Sequence, residues 1–206
     1  MCTVGMMRKM FHPHEDEIWA QLSRELEGEF ENHQGWSQDR IRVKDGEWTV
    51  TLDVHSEPGY RAEILYTRYR APYVNTDGFR FNIYQETVFS EIAARFSHER
   101  AEAGHEEIDK LFTIKTNNTD QLKQLFDSSR LRALLAGEPS VHLFVRESDG
   151  VFAEEFPQGV DELVLEVEGE IGDIDRLKGL YVLFATVLQR LCAIGSAYEG
   201  DPHVEL

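Results

Sequence analysis

The chain has few basic residues and almost no cysteine. Its 206 residues include 21 Lys and Arg against 38 Asp and Glu, which gives a formal net charge of −17 at pH 7. Phosphate groups repel a protein with this charge, so the composition disfavours general binding to nucleic acid or to an anionic membrane. The two cysteines, Cys2 and Cys192, stand near opposite ends of the chain and predict no disulfide framework.

Long apolar runs are also absent. The longest, residues 179–188, falls well short of the roughly 20 apolar residues that a membrane-spanning helix needs. At the start of the chain the charged residues Arg8 and Lys9 follow the apolar ones, whereas in a signal peptide they precede them. We therefore expect a cytoplasmic protein that contacts no membrane.

The common catalytic and cofactor motifs are missing as well. The sequence contains neither a glycine-rich phosphate loop nor the Gly-x-Ser-x-Gly elbow of serine hydrolases. Cys192 lies between Leu191 and Ala193 in an apolar helical pattern, which is typical of a buried side chain rather than of a nucleophilic thiolate. These absences favour a protein without catalytic activity over an enzyme, and they predict no cofactor and no catalytic residue.

The chain nevertheless contains enough apolar material for a substantial core. Hydrophobic residues make up 41% of it and aromatic residues 11%, which excludes a disordered chain despite the high charge. This length and composition predict a single α+β domain over residues 1–206. Two sub-halves that share a core, 13–97 and 108–197, are the alternative, because a polar segment lies between them.

Hydrophobic periodicity predicts an antiparallel sheet packed against helices, in the order α-ββββ-α and then β-αα-βββ-α. Alternating residues on both sides of Asp45-Gly46 predict a hairpin, and the first four strands are expected to form a meander. Asn118 and Asp127 are candidate caps of two short helices, and Asp173 begins a long apolar helix. The other predicted helices are 15–26 and 88–96, and the predicted strands are 40–44, 48–54, 60–69, 79–84, 111–115, 141–145, 151–152 and 163–167.

Part of this pattern is similar to a known group of proteins. The segment 109–115 reads Asp-Lys-Leu-Phe-Thr-Ile-Lys and precedes two Leu-rich helical segments, and Leu-Lys-Gly-Leu-Tyr follows at 177–181. The chain thereby resembles a group of bacterial proteins of unassigned function that share an Asp-x-x-Phe-x-Ile-Lys segment before a Leu-rich helix pair. The strand segment 66–73 is also similar. The resemblance lies mostly within 105–195, on core-packing positions, and it implies a similar domain but no particular activity.

Arginines and tyrosines recur on one side of two predicted strands. Tyr66, Arg68 and Arg70 share a face of one strand, and Arg80 shares a face of the next with Asn82 and Tyr84. If these strands pair as a hairpin, the guanidinium and phenol groups form a patch that can bind a carboxylate or a phosphate. The alternative is a solvated face whose arginines pair with Glu47, Asp53 or Glu63 across the strands.

Histidines and carboxylates form two candidate metal sites. One comprises His98, His105, Glu106 and Glu107, in the polar segment between the halves, and the other lies around His12 and His14. Imidazole and carboxylate groups at short spacing are suitable ligands for zinc or a similar ion. Neither cluster has a recognised ligand spacing, so solvated charge is the alternative for both.

The acidic excess is concentrated in the second half. Between residues 147 and 175 the chain has eleven acidic residues and no basic one. Glu162, Glu166 and Glu168 alternate with apolar residues, which predicts an acidic stripe on the outward face of a strand. Such a stripe either keeps the sheet soluble or docks a basic partner or the arginine face of a second copy.

Three functions follow from these patterns. The first is a non-catalytic protein-interaction domain whose partner is a basic protein or a second copy of the chain, forming a homo-oligomer. The second is a module that binds an anion or another small ligand through Tyr66, Arg68, Arg70 and Arg80. The third is a metal-dependent enzyme built on the histidine–carboxylate cluster.

Overall fold

The fold of the chain is an α+β arrangement around one antiparallel sheet. A computed structural model describes residues 13–32, 39–59, 63–85, 99–146, 156–200, 202–204 and 206. Its helices are α1 (Pro13–Glu25), α2 (Glu106–Asp109), α3 (Thr119–Phe126), α4 (Ser129–Gly137) and α5 (Ile174–Ala193). Its strands are β1 (Glu29–Glu31), β2 (Arg40–Asp45), β3 (Trp48–Pro58), β4 (Glu63–Asn75), β5 (Phe81–Tyr84), β6 (Glu99–Ala101), β7 (Thr113–Thr116), β8 (Val141–Arg146), β9 (Val160–Glu168) and β10 (Ala197–Tyr198).

The ten described strands belong to a single sheet. Its order is β1-β2-β3-β4-β9-β8-β5-β7-β6, and β10 pairs with the end of β4. Strands from the two halves of the sequence are interleaved in this order. Strand β4 pairs with β9, and β5 pairs with β8 on one side and β7 on the other. The predicted antiparallel sheet packed against helices is confirmed. Among the described helices, none is long and apolar enough to cross a membrane.

The predicted four-stranded meander is wrong at its last strand. Strands β2, β3 and β4 do form a meander with regular pairing, but β9 and β8 lie between β4 and β5. The chain after β4 turns away instead of folding back: the amide of Asn75 donates to Phe79 and to Asp161 at the start of β9. These contacts hold the segment after β4 against the start of β9. Strand β5 then pairs with β8, so β9 and β8 separate β5 from β4.

The helices cover one face of the sheet and form the core with it. Alternate strand residues, such as Leu52 of β3 and Leu165 of β9, lie in the same buried cluster as the apolar residues of α1, α3, α4 and α5. The long helix α5 is central, as predicted. Tyr69 of β4 donates its hydroxyl to the carbonyl of Leu177 at 2.8 Å, and its ring contacts Phe184 at 6.2 Å between centroids.

Capping residues fix where the helices begin. Asn118 accepts hydrogen bonds from two backbone N–H groups of α3, and Asp173 accepts one from Arg176 at the start of α5, so both predicted caps are confirmed. Asp127 does not cap α4; it ends α3, and the neighbouring Ser128 caps α4 through the backbone N–H of Leu131. Only Asp127 and Ser128 lie between α3 and α4, and the cap of α4 is one residue after the predicted position.

Several elements differ in extent from their predictions. Strand β4 continues past residue 69 to Asn75 and includes Pro72. The proline fits because β3 pairs with β4 only as far as Arg70, which leaves one side of β4 without a described neighbour at Pro72. A missing N–H is tolerated where a strand has a neighbour on only one side. The polar segment 98–109 contains the short elements β6 and α2. The predicted helix 88–96 and strand 151–152 lie outside the described residues.

Candidate functional site

The sheet face opposite the helices carries polar side chains that are buried. We call it the polar face. Its residues alternate with the core positions of five adjacent strands: Asp53 and His55 on β3, Tyr66, Arg68 and Arg70 on β4, Glu162, Val164 and Glu166 on β9, His142 and Phe144 on β8, and Asn82 and Tyr84 on β5. Glu162 and Glu166 are only 1% and 2% exposed. The expected outward stripe is therefore wrong for these two residues, and only Glu168 is exposed.

The stripe is buried because the neighbouring strands supply its partners. Strand β4 places Arg68 opposite Glu166, and strand β8 places His142 opposite the same residue. Glu162 has Arg70 at 3.6 Å and Arg146 at 3.3 Å. A buried carboxylate is tolerable when cations and hydrogen-bond donors surround it, and sequence spacing within one strand does not reveal these partners.

Arg68 and Arg70 both bind Asp53. Nε and Nη2 of Arg68 donate to the two oxygens of Asp53 at 2.8 and 2.9 Å, and Nε of Arg70 donates to Asp53 at 3.0 Å. Burial acts to raise the pKa of Asp53, but the hydrogen bond from Arg68 and the two guanidinium charges outweigh it, so the pKa is lowered. Pairing with Asp53, the alternative that the sequence left open, is what the structure contains.

Arg80 does not join Arg68 and Arg70. Because β4 and β5 are not neighbours, the hairpin that would bring these three residues together is absent from the described sheet. Arg80 instead donates to both oxygens of Asp161, at the start of β9, at 3.1 and 3.2 Å. Of the four expected ligand-binding residues, the structure brings together Tyr66, Arg68 and Arg70. Arg80 lies apart from them, beside the start of β9.

Two histidines contact opposite oxygens of Glu166. Nε2 of His55 lies 3.6 Å from Oε1, and Nδ1 of His142 lies 3.6 Å from Oε2. The ring of Tyr66 stacks on that of His55 with the centroids 5.4 Å apart. Side-chain contacts thus connect His55 on β3, Glu166 on β9 and His142 on β8 in one row across the polar face. The register itself places Arg68 opposite Glu166, and Asp53 opposite Arg68.

The surroundings of this row keep the His55 imidazole neutral and the Glu166 carboxyl group ionised. Burial and the charge of Arg68 lower the pKa of His55, so its imidazole is neutral near pH 7. Burial acts to raise the pKa of Glu166, but His142, His55 and Arg68 together lower it. With Asp53 and Glu162 facing arginines, the charges of the polar face compensate one another.

The row ends at Asn82 on β5. Nε2 of His142 lies 2.8 Å from Oδ1 of Asn82, so the two side chains are within hydrogen-bond distance. Phe144 stacks on the His142 ring at 4.3 Å, and Tyr84 meets it edge-on at 6.2 Å. Asn82 is 1% exposed, and its Nδ2 has no hydrogen-bond partner in the part of the chain that the structure describes. Nδ1 of His55 is buried and unpartnered in the same sense.

The candidate metal ligands that the structure describes face cations instead of one another. Glu106 pairs with Lys110, while Glu107 pairs with Arg132 at 3.0 Å, and His105 lies 3.4 Å from the same arginine. No group of three or more metal-ligating side chains is found among the described residues. His98 and His12 lie outside those residues, as does the side chain of His14.

Sequence reasoning missed the residues that now define the site, namely His55, His142, Glu166 as a buried group, and Asn82. A signal was available for His142 and Asn82, since each interrupts an apolar strand segment at a position that alternates with the core. What the sequence lacked was the strand order, which places the four side chains side by side.

Comparisons of the chain with protein-family models, with curated proteins and with solved structures gave no match. The resemblance of residues 105–195 to the bacterial group stays a prediction.

Proposed function

We propose that the protein binds a small, uncharged, polar ligand on the polar face, next to Asn82 and His142. The observation that carries this proposal is the unpartnered amide nitrogen of Asn82, which is buried beside an ordered histidine and two aromatic rings. Burying a donor without a partner costs about 1–3 kcal/mol. A ligand that accepts a hydrogen bond there removes this cost, and the rings of Tyr84 and Phe144 offer it apolar contact.

Charge compensation supports an uncharged ligand over the anion expected from the arginines. Arg68 and Arg70 already bind Asp53, and Arg70 and Arg146 face Glu162. An anion that recruited these arginines would leave buried carboxylates without their cations, which costs several kcal/mol. Sugars, nucleosides and amides supply acceptor oxygens without adding charge.

A thermal-shift survey tests the proposal with a panel of neutral sugars, nucleosides and amides beside phosphate and citrate. A ligand at 100 times its dissociation constant stabilises the folded state by about 2.7 kcal/mol, which raises the Tm of a chain of this size by roughly 5–10 °C. We expect a neutral compound to produce this shift in the wild type and in the exposed-site control Gln124→Ala, but not in Asn82→Leu. The proposal fails if only anions raise the Tm, or if the shift survives in Asn82→Leu.

The protein-interaction and homo-oligomer hypothesis stays a prediction. It depended on a free acidic stripe and a free arginine face. Inside this chain Glu162 of the stripe instead faces Arg70 and Arg146, and Arg68 and Arg70 bind Asp53. No observation on the described residues favours it over ligand binding.

A further inference from the structure

A second polar site surrounds the turn between β2 and β3, away from the polar face. Gly46 has a φ of +61° in this turn, as the first central position of a type II′ hairpin turn requires. The turn places Asp45 directly opposite Trp48, which is 3% exposed and packs in the core beneath the helices. Nε1 of Trp48 and Oδ2 of Asp45 are both buried, and neither has a hydrogen-bond partner among the described residues. The two facing side chains thus offer an unused donor beside an unused acceptor.

Further groups surround the turn from α5 and from the chain after β10. Burial and the charge of Asp45 raise the pKa of Tyr181 on α5 to about 12, so its phenol is protonated and close to that carboxylate. Oε1 of Glu199 lies 3.0 Å from where a Cβ on Gly46 would be, which brings a second carboxylate to the turn. Within the described residues neither Asp45 nor Glu199 has an ion-pair partner.

These groups define the chemistry of a ligand. Among the described residues the two carboxylates have no cation beside them, so they favour a ligand with a positive group. A primary ammonium has three donors and no acceptor, so it fits the carboxylates and the phenol oxygen but not the indole N–H. The indole N–H needs an acceptor oxygen on the same ligand, and a neutral oxygen fits better than a carboxylate because Asp45 is adjacent.

We propose that the β2–β3 turn, α5 and Glu199 form a binding site for a small molecule that carries a primary ammonium group next to a neutral acceptor oxygen, such as an amino amide or an amino alcohol. Asp45 and Glu199 bind the ammonium, and the Trp48 indole donates to the oxygen. Glycinamide is the simplest probe with both features, ethylamine has only the ammonium, and glycine has an ammonium beside a carboxylate.

Isothermal titration calorimetry and the indole N–H signals in NMR spectra test the site with these three probes. We expect glycinamide to bind more tightly than ethylamine and glycine, and to shift one indole signal, which Trp48→Phe removes. Asp45→Asn and Glu199→Gln each weaken glycinamide binding about tenfold or more, as the loss of a hydrogen bond to a charged group implies. Trp48→Phe lowers the affinity for glycinamide to that for ethylamine and leaves ethylamine binding unchanged.

Glu106→Gln is the matched control, because it removes an exposed carboxylate elsewhere that pairs only with Lys110 in the described structure. The proposal is overturned if glycinamide gives no saturable binding, if glycine binds equally well, or if Glu199→Gln behaves like Glu106→Gln. Glu199 is exposed, so its variant keeps the test valid even if a change at Trp48 or Asp45 disturbs folding. The site shares no residue with the polar face, so its failure leaves the function proposed above unaffected.

Discussion

Arg68 holds Asp53 through two parallel hydrogen bonds, Nε to Oδ1 at 2.8 Å and Nη2 to Oδ2 at 2.9 Å. This fork joins β3 to β4 on the polar face, and Arg70 adds a third bond to the same carboxylate. Because Arg68 and Arg70 both bind Asp53, their charges are compensated within the polar face.

Removing Asp53 tests that network. Asp53→Ala leaves two buried guanidinium groups without their carboxylate, and we expect a loss of about 3–5 kcal/mol in the free energy of unfolding, measured by urea denaturation. Glu106→Gln breaks an exposed pair with Lys110 and is expected to cost less than about 1 kcal/mol. Equal losses in the two variants would show that the Arg68–Asp53 fork adds no more stability than an exposed ion pair.

His55 predicts a specific dependence of stability on pH. Its pKa is lowered in the folded state by burial and by Arg68, so below the unfolded value of about 6.5 the unfolded chain binds the additional proton and stability falls. The fall ends once the pH passes below the folded pKa. Asp53 and Glu166, whose folded pKa values are lowered, cause a further loss only as the pH falls below about 4.

The measurement is the free energy of unfolding at several pH values between about 8 and 5. We expect His55→Gln to lose less stability over this interval than the wild type, and the exposed-site control His203→Gln to behave like the wild type. A His55→Gln curve parallel to the wild-type curve would contradict the assignment.

Two buried tyrosines on the core side of β4 should respond in opposite directions. Tyr69 donates to the carbonyl of Leu177, so Tyr69→Phe loses a hydrogen bond and is expected to cost about 1–2 kcal/mol. Tyr73 is fully buried, and its hydroxyl has no partner among the described residues. Tyr73→Phe removes a buried unsatisfied group, so we expect the stability to stay the same or to rise by up to about 2 kcal/mol. Thermal or urea unfolding of the pair decides, and a loss in Tyr73→Phe as large as in Tyr69→Phe would be evidence against this difference.

The cap of α5 gives a fourth prediction. Asp173 accepts the backbone N–H of Arg176 at 2.7 Å, so Asp173→Ala is expected to cost about 1 kcal/mol. Asp175 stands in the first turn of the same helix without capping it, and Asp175→Ala is expected to cost only about 0.3–1 kcal/mol through the helix dipole. Urea denaturation of both variants measures the difference, and the cap assignment does not survive if Asp175→Ala is the more costly.

The local features of the fold were predictable because each depends on residues close together in the chain. The hairpin at Asp45-Gly46, the caps Asn118 and Asp173, and the apolar helix α5 all follow from turn chemistry and hydrophobic period. The pairing of Arg68 with Asp53 was also within reach, as one of three alternatives, since adjacent strands of a meander bring such residues opposite each other.

The candidate site was not predictable in the same way. The residues 55, 82, 142 and 166 belong to four strands that are distant in sequence, and they meet only because β9 and β8 insert between β4 and β5. Arg80 was assigned to the wrong neighbours for the same reason. Period alone cannot distinguish a polar residue that faces water from one that faces a partner on the next strand.

The sequence itself determines the net charge of −17 and the alternation of acidic with apolar residues. The alternation establishes which side chains share a face of a strand. Whether that face is solvated was decided by the tertiary structure, which places Arg68 and His142 on either side of Glu166. The physical reason is that burial of a charge depends on the groups packed around it, and strand order, which determines those groups, is a property of the whole sheet.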